Sequence, residues 1–167
     1  MKSLFLIGFM GSGKTSVMVS LARKLGLPYI DTDKAIEEEQ EQRIPAIFEE
    51  EGEAAFRKYE SEILQKMPKL DTVIATGGGI VEKEKNREWL KRNGTIVYLH
   101  TSLQEINKRL AEDQSRPLWK RHDKTALYTS RLAKYEDAAT VRVTTDFKTP
   151  EQIADEIIEL IKKQQYG

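Results

Sequence analysis

The 167-residue chain contains no cysteine. This absence excludes disulfide bonds, thiolate metal sites and a cysteine nucleophile, and it is compatible with a reducing compartment. Neither sign of charge is in excess, because 27 lysines and arginines balance 27 aspartates and glutamates. We therefore expect no broad basic surface for nucleic acid.

Long apolar runs are missing as well. No stretch approaches the roughly 20 residues that cross a bilayer, and the first residues lack the pattern of a secretory signal. His100 and His122 have no metal-ligand spacing to each other or to carboxylates. We expect a soluble cytoplasmic protein without a membrane partner, whose length suits one domain over residues 1–167.

The most informative segment that is present is GFMGSGKT at residues 8–15, which fits the phosphate-binding pattern G-x-x-x-x-G-K-[ST]. Its glycines allow backbone N–H groups to turn into one cavity and hold phosphate oxygens. Lys14 suits the β- and γ-phosphates of a nucleotide, and the Thr15 hydroxyl suits Mg²⁺. An apolar run at residues 2–7 leads into the loop and residues 16–25 have helical spacing, so the order strand, loop, helix that the site requires is present.

Strand-like and helix-like runs alternate along the rest of the chain. The expected strands occupy residues 2–7, 29–30, 72–75, 95–99 and 140–144. This alternation predicts an α/β fold with a five-stranded parallel sheet covered by helices on both faces. Capping-box patterns at residues 102–105 and 149–152 mark two helix starts. Ligands bind such sheets at the carboxyl ends of strands, where the glycine loop, DTD at residues 31–33 and GGG at residues 77–79 stand.

Two carboxylates follow the second expected strand. Asp31 is placed to hold Mg²⁺ through water, and Asp33 can accept a hydroxyl proton from the phosphate acceptor. Asp33 points to the same side as Asp31 if the backbone stays extended. The alternative is that Asp33 caps the next helix, and the two roles are compatible.

Two further segments have both a functional and a structural interpretation. The glycines at residues 77–79 allow a ligand to approach the backbone closely, and a plain tight turn is the alternative. Residues 112–123 are polar and basic, and such a segment can close over a nucleotide and deliver Arg116 to the transferring phosphate. A plain connecting loop is the alternative there.

Residues 33–62 are mostly helical in composition, with interruptions near Ile44 and at Gly52. Within them, Arg57 is suited to bidentate recognition of a carboxylate, and Glu60 lies three residues later on the same helical face. Taken alone, Arg57, Glu60 and Arg131 would be interpreted as ordinary surface residues.

Together these segments resemble the shikimate kinase family, a branch of the nucleoside-monophosphate-kinase-like P-loop proteins. The resemblance covers essentially the whole chain. It rests on GFMGSGKT at 8–15, DTD at 31–33, GEAAFR at 52–57, TGGG at 76–79, RPL at 116–118, and Arg131 with Tyr135. It implies transfer of the γ-phosphate of ATP to the 3-hydroxyl of shikimate, a step toward aromatic amino acids. It also implies a three-layer αβα fold with strand order 2-3-1-4-5 and a lid at about residues 112–123.

The resemblance implies a role for each residue of the site. Lys14, Asp33 and Arg116 are the implied catalytic residues, with Thr15 on Mg²⁺ and Asp31 in the water shell of the ion. Asp33 would bind the shikimate hydroxyls and orient or activate the attacking one. The implied ATP contacts are Gly11, Ser12, Gly13, Lys14, Thr15, Ser16, Arg109, Arg116 and Pro150. The implied substrate contacts, beginning with the helical region at about 33–62, are Asp33, Arg57, Glu60, Gly77, Gly78, Gly79 and Arg131.

By the same resemblance, Arg57 and Arg131 clamp the shikimate carboxylate and Glu60 orients Arg57. The chain departs from the family near Arg131, where Lys134 interrupts a segment that ends in Pro-Leu-Tyr in many members. Two other functions stay open: a kinase for another small hydroxy acid such as gluconate, and a non-catalytic nucleotide-binding module that switches a partner. Nothing in the sequence demands more than a monomer.

Overall fold

A computed structural model describes residues 1–110 and 124–166. One parallel sheet contains β1 (Leu4–Ile7), β2 (Tyr29–Asp31), β3 (Val73–Ala75), β4 (Thr95–His100) and β5 (Val141–Thr144). The strand order is β2-β3-β1-β4-β5, which confirms the order implied by the family resemblance. Leu4 lies opposite Val73 on one side and Thr95 on the other, so the strand that leads into the phosphate loop is central.

The described residues form eight α-helices. They are α1 (Lys14–Leu25), α2 (Thr32–Gln40), α3 (Ile44–Glu51), α4 (Glu53–Gln65), α5 (Glu84–Asn93), α6 (Leu103–Leu110), α7 (Lys124–Ala138) and α8 (Pro150–Tyr166). A short 3-10 turn at Ile80–Glu82, which the sequence analysis did not predict, follows the three glycines. Within residues 1–110 and 124–166, no helix combines the length and apolarity needed to traverse a bilayer.

The side chains of β1 alternate between two apolar cores. Leu4 and Leu6 pack with α1 and α8, whereas Phe5 and Ile7 pack with the other helices, and all four are fully buried. Successive side chains of a strand point to opposite faces, so a uniformly apolar strand needs cover on both sides. Each such buried side chain contributes about 1.5–3 kcal/mol to folding. The three-layer αβα architecture is thereby confirmed.

The two capping-box patterns have different outcomes. Before α8, Thr149 Oγ1 accepts a hydrogen bond from the Gln152 N–H at 3.1 Å, and Gln152 Oε1 accepts one from the Thr149 N–H at 2.8 Å. Before α6, Ser102 Oγ accepts from the Glu105 N–H at 3.2 Å, but the Ser102 N–H donates to Asp146 at 3.0 Å. The second box is only half formed, because the loop after β5 supplies a competing carboxylate.

The backbone does not stay extended after β2. Helix α2 begins at Thr32, and Asp31 is its capping residue, with Oδ1 accepting from the N–H groups of Asp33 at 2.9 Å and Lys34 at 3.3 Å. The alternative in which Asp33 caps this helix is therefore wrong. Asp33 lies in the first turn of α2, and that turn rather than a strand sets the direction of its side chain.

Candidate active site

The loop after β1 leaves the start of α1 open to an anion. Gly13 has φ 88° and precedes the helix, and no described side chain caps it. The backbone N–H groups of the first turn therefore remain available, and they carry the partial positive charge of the helix start. Gly8 is required for a different reason, because a Cβ there would lie 2.7 Å from the carbonyl oxygen of Leu99 in β4.

Two cations border this loop. Lys14 Nζ donates to the carbonyl oxygens of Gly8 at 2.6 Å and Phe9 at 3.2 Å. Arg109, on α6, donates from Nη1 to the carbonyl oxygen of Gly11 at 3.0 Å. Both contacts are with backbone oxygens of the loop, so each cation lies at the edge of the loop.

Thr15 and Asp31 form a pair of oxygen donors beside the loop. Thr15 Oγ1 lies 3.3 Å from Asp31 Oδ2. Within the part of the chain that the structure describes, no three His, Asp or Glu side chains group together as a metal site. One hydroxyl and one carboxylate suit Mg²⁺, which keeps several waters and completes its shell with phosphate oxygens.

Two pockets meet at the carboxyl ends of β1 and β3. The loop pocket has an empty volume of about 710 Å³, and its lining includes Gly11, Gly13, Lys14, Thr15, Ser16 and Asp31. The arginine pocket has an empty volume of about 470 Å³, and its lining includes Phe48, Phe56, Arg57, Glu60, Gly79 and Arg131. Four residues line both pockets: Met10, Asp33, Gly77 and Gly78. The two pockets therefore share a wall, and Asp33 stands in it.

Arg57 is a buried ion-pair partner, not the ordinary surface residue that its sequence neighbours indicate. Its Nη1 lies 2.8 Å from Glu60 Oε1 and its Nη2 lies 3.4 Å from Glu53 Oε2. Burial opposes the charge of Arg57, but the two carboxylates outweigh burial and raise its pKa. Burial raises the pKa of Glu60, and the nearby Arg57 and Arg131 offset this only in part.

Arg131, on α7, lines the same pocket. Its side chain is 1 % exposed, and its Nε donates to Glu82 Oε2 at 3.2 Å. Among the described residues, its buried Nη1 has no hydrogen-bond partner. A buried guanidinium N–H at a pocket wall, without an acceptor among the described residues, suits an anionic ligand and above all a carboxylate.

None of the glycines at residues 77–79 has a positive φ, so lack of space and not backbone conformation accounts for Gly77 and Gly79. A Cβ on Gly77 would lie 2.7 Å from Asp33 Oδ1, and a Cβ on Gly79 would overlap the Arg57 guanidinium. The side chains of the site come so close to this backbone that any larger residue displaces them. A turn is present, because the Ile80 N–H donates to the carbonyl oxygen of Gly77 at 3.1 Å. The close approach of a ligand to this backbone stays a prediction.

Several expected site residues lie apart from the two pockets. The Ser12 side chain is buried within the loop, and Pro150 begins α8; neither is among the described residues that line the two pockets. Arg116 and the expected lid at residues 112–123 lie outside the described residues.

Sequence reasoning missed part of the pocket wall. Phe48 and Phe56, whose ring centroids are 4.8 Å apart, supply its apolar side. Tyr135 Oη donates to the carbonyl oxygen of Gly78 at 2.7 Å and so holds the glycine run from α7. The apolar residues within the acidic stretch before residue 62 were a usable signal for the two phenylalanines. Tyr135 was named from the sequence only as part of the family resemblance, and its contact with Gly78, 57 residues away, left no local pattern.

Comparisons with known proteins are consistent with this geometry. A family model described as shikimate kinase matches residues 10–162. A shikimate kinase of Bacillus cereus strain AH187 is 46% identical over 166 residues, which cover 98% of this chain and 100% of that protein. The structure of shikimate kinase from Acinetobacter baumannii in complex with shikimate aligns with a TM-score of 0.95 at 34% identity, and covers 100% of this chain and 96% of that one.

A more distant structure bears on the gluconate alternative. The gluconokinase from Sinorhizobium meliloti 1021 aligns with a TM-score of 0.61 at 18% identity, over 99% of this chain and 96% of that one. At that identity the likeness shows a common fold and gives no information on the substrate.

Proposed function

Because the chain belongs to the shikimate kinase family, we propose that it transfers the γ-phosphate of ATP to the 3-hydroxyl of shikimate, on the route to aromatic amino acids. The observation that carries this proposal is the wall of Met10, Asp33, Gly77 and Gly78 that both pockets share. A triphosphate in the loop pocket and an alcohol in the arginine pocket would face each other across Asp33. Holding two reactants in this way replaces an encounter in solution with a positioned reaction.

On the nucleotide side, the loop N–H groups and Lys14 would bind the phosphates of ATP. The ammonium of Lys14 would exchange the carbonyl oxygens of Gly8 and Phe9 for phosphate oxygens and balance the charge that develops there. Thr15 would hold Mg²⁺, with Asp31 acting through water. Mg²⁺ held by these residues would supply positive charge that offsets the negative charge of the phosphates.

On the acceptor side, Arg57 and Arg131 would bind the carboxylate of shikimate. The buried pair with Glu60, at 2.8 Å, would fix the direction of Arg57. Phe48 and Phe56 would cover the apolar part of the ring. Charge at one end of the pocket and an apolar wall beside it give a small hydroxy acid a single orientation.

The reaction needs one proton to leave the attacking hydroxyl. Its oxygen would form a bond to the γ-phosphorus while the bond from that phosphorus to the β–γ bridging oxygen breaks, and ADP would depart. Asp33 would accept the hydroxyl proton. Arg116, outside the described residues, is proposed on the family resemblance to stabilise the transferring phosphate.

We propose four further properties. A single domain over residues 1–167, a lid at residues 112–123, a monomeric state and a cytoplasmic location follow from sequence composition and family resemblance. Sedimentation of the purified chain tests the monomer, for which the expected mass is 19.2 kDa.

A coupled assay of ADP release tests the function. Purified protein with Mg-ATP is expected to release ADP when shikimate is added, with shikimate 3-phosphate as the product detected by mass spectrometry. ADP release that is no faster with shikimate than without would overturn the assignment. Faster ADP release with gluconate than with shikimate would identify gluconate as the substrate. Tight ATP binding without turnover on any acceptor would favour the non-catalytic nucleotide-binding module.

A further inference from the structure

Glu82 ends the 3-10 turn that follows the three glycines, and its two carboxylate oxygens serve different cations. Oε2 lies 3.2 Å from Arg131 Nε, and Oε1 lies 2.6 Å from Lys134 Nζ. Arg131 and Lys134 are three residues apart on α7 and so occupy one face of that helix. One carboxylate therefore holds both cations of this face.

The contact with Glu82 constrains how Arg131 can turn. The guanidinium is planar, so a hydrogen bond at Nε fixes its plane and leaves the far edge for another partner. That far edge carries Nη1, which is buried and has no hydrogen-bond partner among the described residues. Nη1 also lies 3.5 Å from the position that a Cβ on Gly78 would occupy, at the wall of the arginine pocket.

Glu82 is itself held in place by α5. Asn86 Nδ2 donates to the carbonyl oxygen of Ile80 at 3.0 Å, and Arg87 Nη1 donates to that of Val81 at 2.6 Å. Both bonds fix the 3-10 turn that ends at Glu82. The backbone that carries the Glu82 carboxylate is thus fixed by α5, and the carboxylate itself, 26 % exposed, contacts Arg131 and Lys134.

Arg131, Glu82 and Lys134 together carry a net charge of +1. Glu82 alone would neutralise Arg131 and weaken its attraction for an anion, whereas Lys134 adds a second positive charge to the group. Burial favours the neutral form of Glu82, but the hydrogen bonds and charges of Lys134 and Arg131 outweigh burial and lower its pKa. The carboxylate is therefore ionised at neutral pH.

We propose that Glu82 is a positioning residue that aims Arg131 at the substrate carboxylate, and that Lys134 restores the positive charge that Glu82 would otherwise cancel. The proposal rests on the function proposed above, in which Arg131 binds that carboxylate. It assigns a purpose to Lys134, the position at which this chain departs from the Pro-Leu-Tyr ending of many family members.

The competing explanation predicts the opposite sign. If Glu82 merely competed with the substrate for Arg131, its removal would tighten binding of the substrate carboxylate. If Glu82 positions Arg131, its removal weakens that binding, because a mobile guanidinium must be ordered again each time the substrate binds. The direction of the change in shikimate KM separates the two.

Steady-state kinetics of Glu82→Ala, Glu82→Gln and Lys134→Met test the proposal. We expect Glu82→Ala to raise the shikimate KM about 10-fold, with kcat and the KM for ATP nearly unchanged. Glu82→Gln keeps an oxygen for Arg131 Nε, so a smaller rise of roughly 3-fold is expected. Lys134→Met should also raise the KM, by roughly 3-fold, because Glu82 then cancels the charge of Arg131.

A double-mutant cycle separates positioning from a general structural role. In an Arg131→Met background, Glu82→Ala should change the shikimate kcat/KM by less than about 2-fold, because the residue through which it acts is gone. A purely structural effect would persist in that background. Melting temperatures of all variants establish that they are folded, and Glu82→Gln with Lys134→Met keeps the test decisive if Glu82→Ala does not fold.

The matched control is Glu136→Ala. Glu136 also lies on α7 and is exposed, it pairs with Arg142 at 3.5 Å, and the described residues show no contact of it with Arg131 or with the 3-10 turn. Its removal should leave the shikimate KM unchanged. A shikimate KM that stays constant or falls in Glu82→Ala would overturn the proposal. A wild-type protein that does not phosphorylate shikimate would instead overturn the proposed function, and this inference with it.

Discussion

The arginine pocket is lined by charged side chains that are almost fully buried. Arg131 and Glu60 are each 1 % exposed, and Arg57 is 10 % exposed. Burying a charge is costly unless it is paired, so each of these groups has an oppositely charged neighbour. One donor and one acceptor in this pocket stay unsatisfied, because the described residues offer no hydrogen-bond partner to Arg131 Nη1 and Glu60 Oε2. A substrate with a carboxylate and hydroxyl groups would satisfy both.

The first prediction concerns Lys14. We expect Lys14→Ala to reduce kcat by about 10²-fold or more, because a positioned charge at the phosphates stabilises the transition state. The coupled ADP assay at saturating shikimate measures it. Lys24→Ala is the control, since Lys24 lies on the same helix and pairs only with Asp155 among the partners described for it, at 3.0 Å. A Lys14→Ala variant with wild-type kcat would show that Lys14 takes no part in phosphoryl transfer.

The second prediction separates the two roles of Arg57. Arg57→Met should raise the shikimate KM with little change in kcat, because the carboxylate is remote from the reacting oxygen. It should also lower the unfolding free energy by about 3–5 kcal/mol, because Glu60 is left buried without its closest partner.

Arg57→Met/Glu60→Gln supplies the control for that pair. The double variant removes the uncompensated carboxylate, so it should recover most of the unfolding free energy while the KM stays high. Urea unfolding and steady-state kinetics of the same preparations measure both quantities. A KM equal to that of the wild type in either variant would exclude Arg57 from the substrate clamp.

At the scale of the secondary-structure elements, the starts of α1 and α2 position the residues of the site. Asp31 is the cap of α2, and this capping turns the backbone so that Asp33 lines both pockets from the first helical turn. The start of α1 has glycine in place of a capping side chain, which leaves its N–H groups for an anion. The contrast between the two helices follows their sequence: an aspartate before one, a glycine before the other.

The third prediction concerns the start of α8. Thr149 and Gln152 form a complete reciprocal cap, so Thr149→Ala should lower the unfolding free energy by about 1 kcal/mol. Ser130→Ala is the control, since Ser130 is exposed within α7 and its change should stay within about 0.5 kcal/mol. Urea unfolding measures both. Equal losses in the two variants would mean that the cap contributes nothing specific.

At the scale of the whole molecule, the sheet brings remote segments together. The central position of β1 puts the phosphate loop beside the ends of β3 and β4, while α4 and α7 deliver Arg57 and Arg131 from residues far apart in the chain. Both apolar cores are needed for this, because each fixes helices on one face of the sheet. The site is a property of the packed layers, and no single segment contains it.

The fourth prediction concerns how stability depends on pH. Burial and then the nearby Arg142 lower the pKa of His100, while Asp146 and Glu136 act in the opposite direction. The native state therefore binds fewer protons at this site than the unfolded state, in which the pKa is about 6.5. The contribution of neutral His100 is fully present above that value and is lost as the pH falls through the lower native pKa.

A variant without the imidazole isolates this contribution. Asn in place of His100 can still accept a hydrogen bond from Tyr98, whose hydroxyl lies 2.9 Å from Nδ1 of the imidazole. Between about pH 7.5 and about pH 5, the unfolding free energy should fall less in His100→Asn than in the wild type. Urea unfolding across this range measures the difference. Parallel pH profiles for the two proteins would refute the assignment.

The sequence alone determined the α/β class, the five strands and the phosphate loop, because these depend on local patterns. Alternating apolar runs report strands and helices, and the loop needs glycine, lysine and threonine at fixed spacing. The sequence also supplied, through family resemblance, many of the residues that line the two pockets, Asp33, Arg57 and Arg131 among them. None of these inferences required knowledge of which side chain contacts which.

Only the tertiary structure decided how those residues are held. Capping by Asp31, the clearance that Arg57 requires at Gly79, and the support of Arg131 by Glu82 all depend on contacts between distant segments. Burial turned Arg57 and Arg131 from apparent surface residues into paired charges at one pocket. Local pattern cannot report such pairs, because the free energy of a buried charge is set by neighbours that the chain brings together only when it folds.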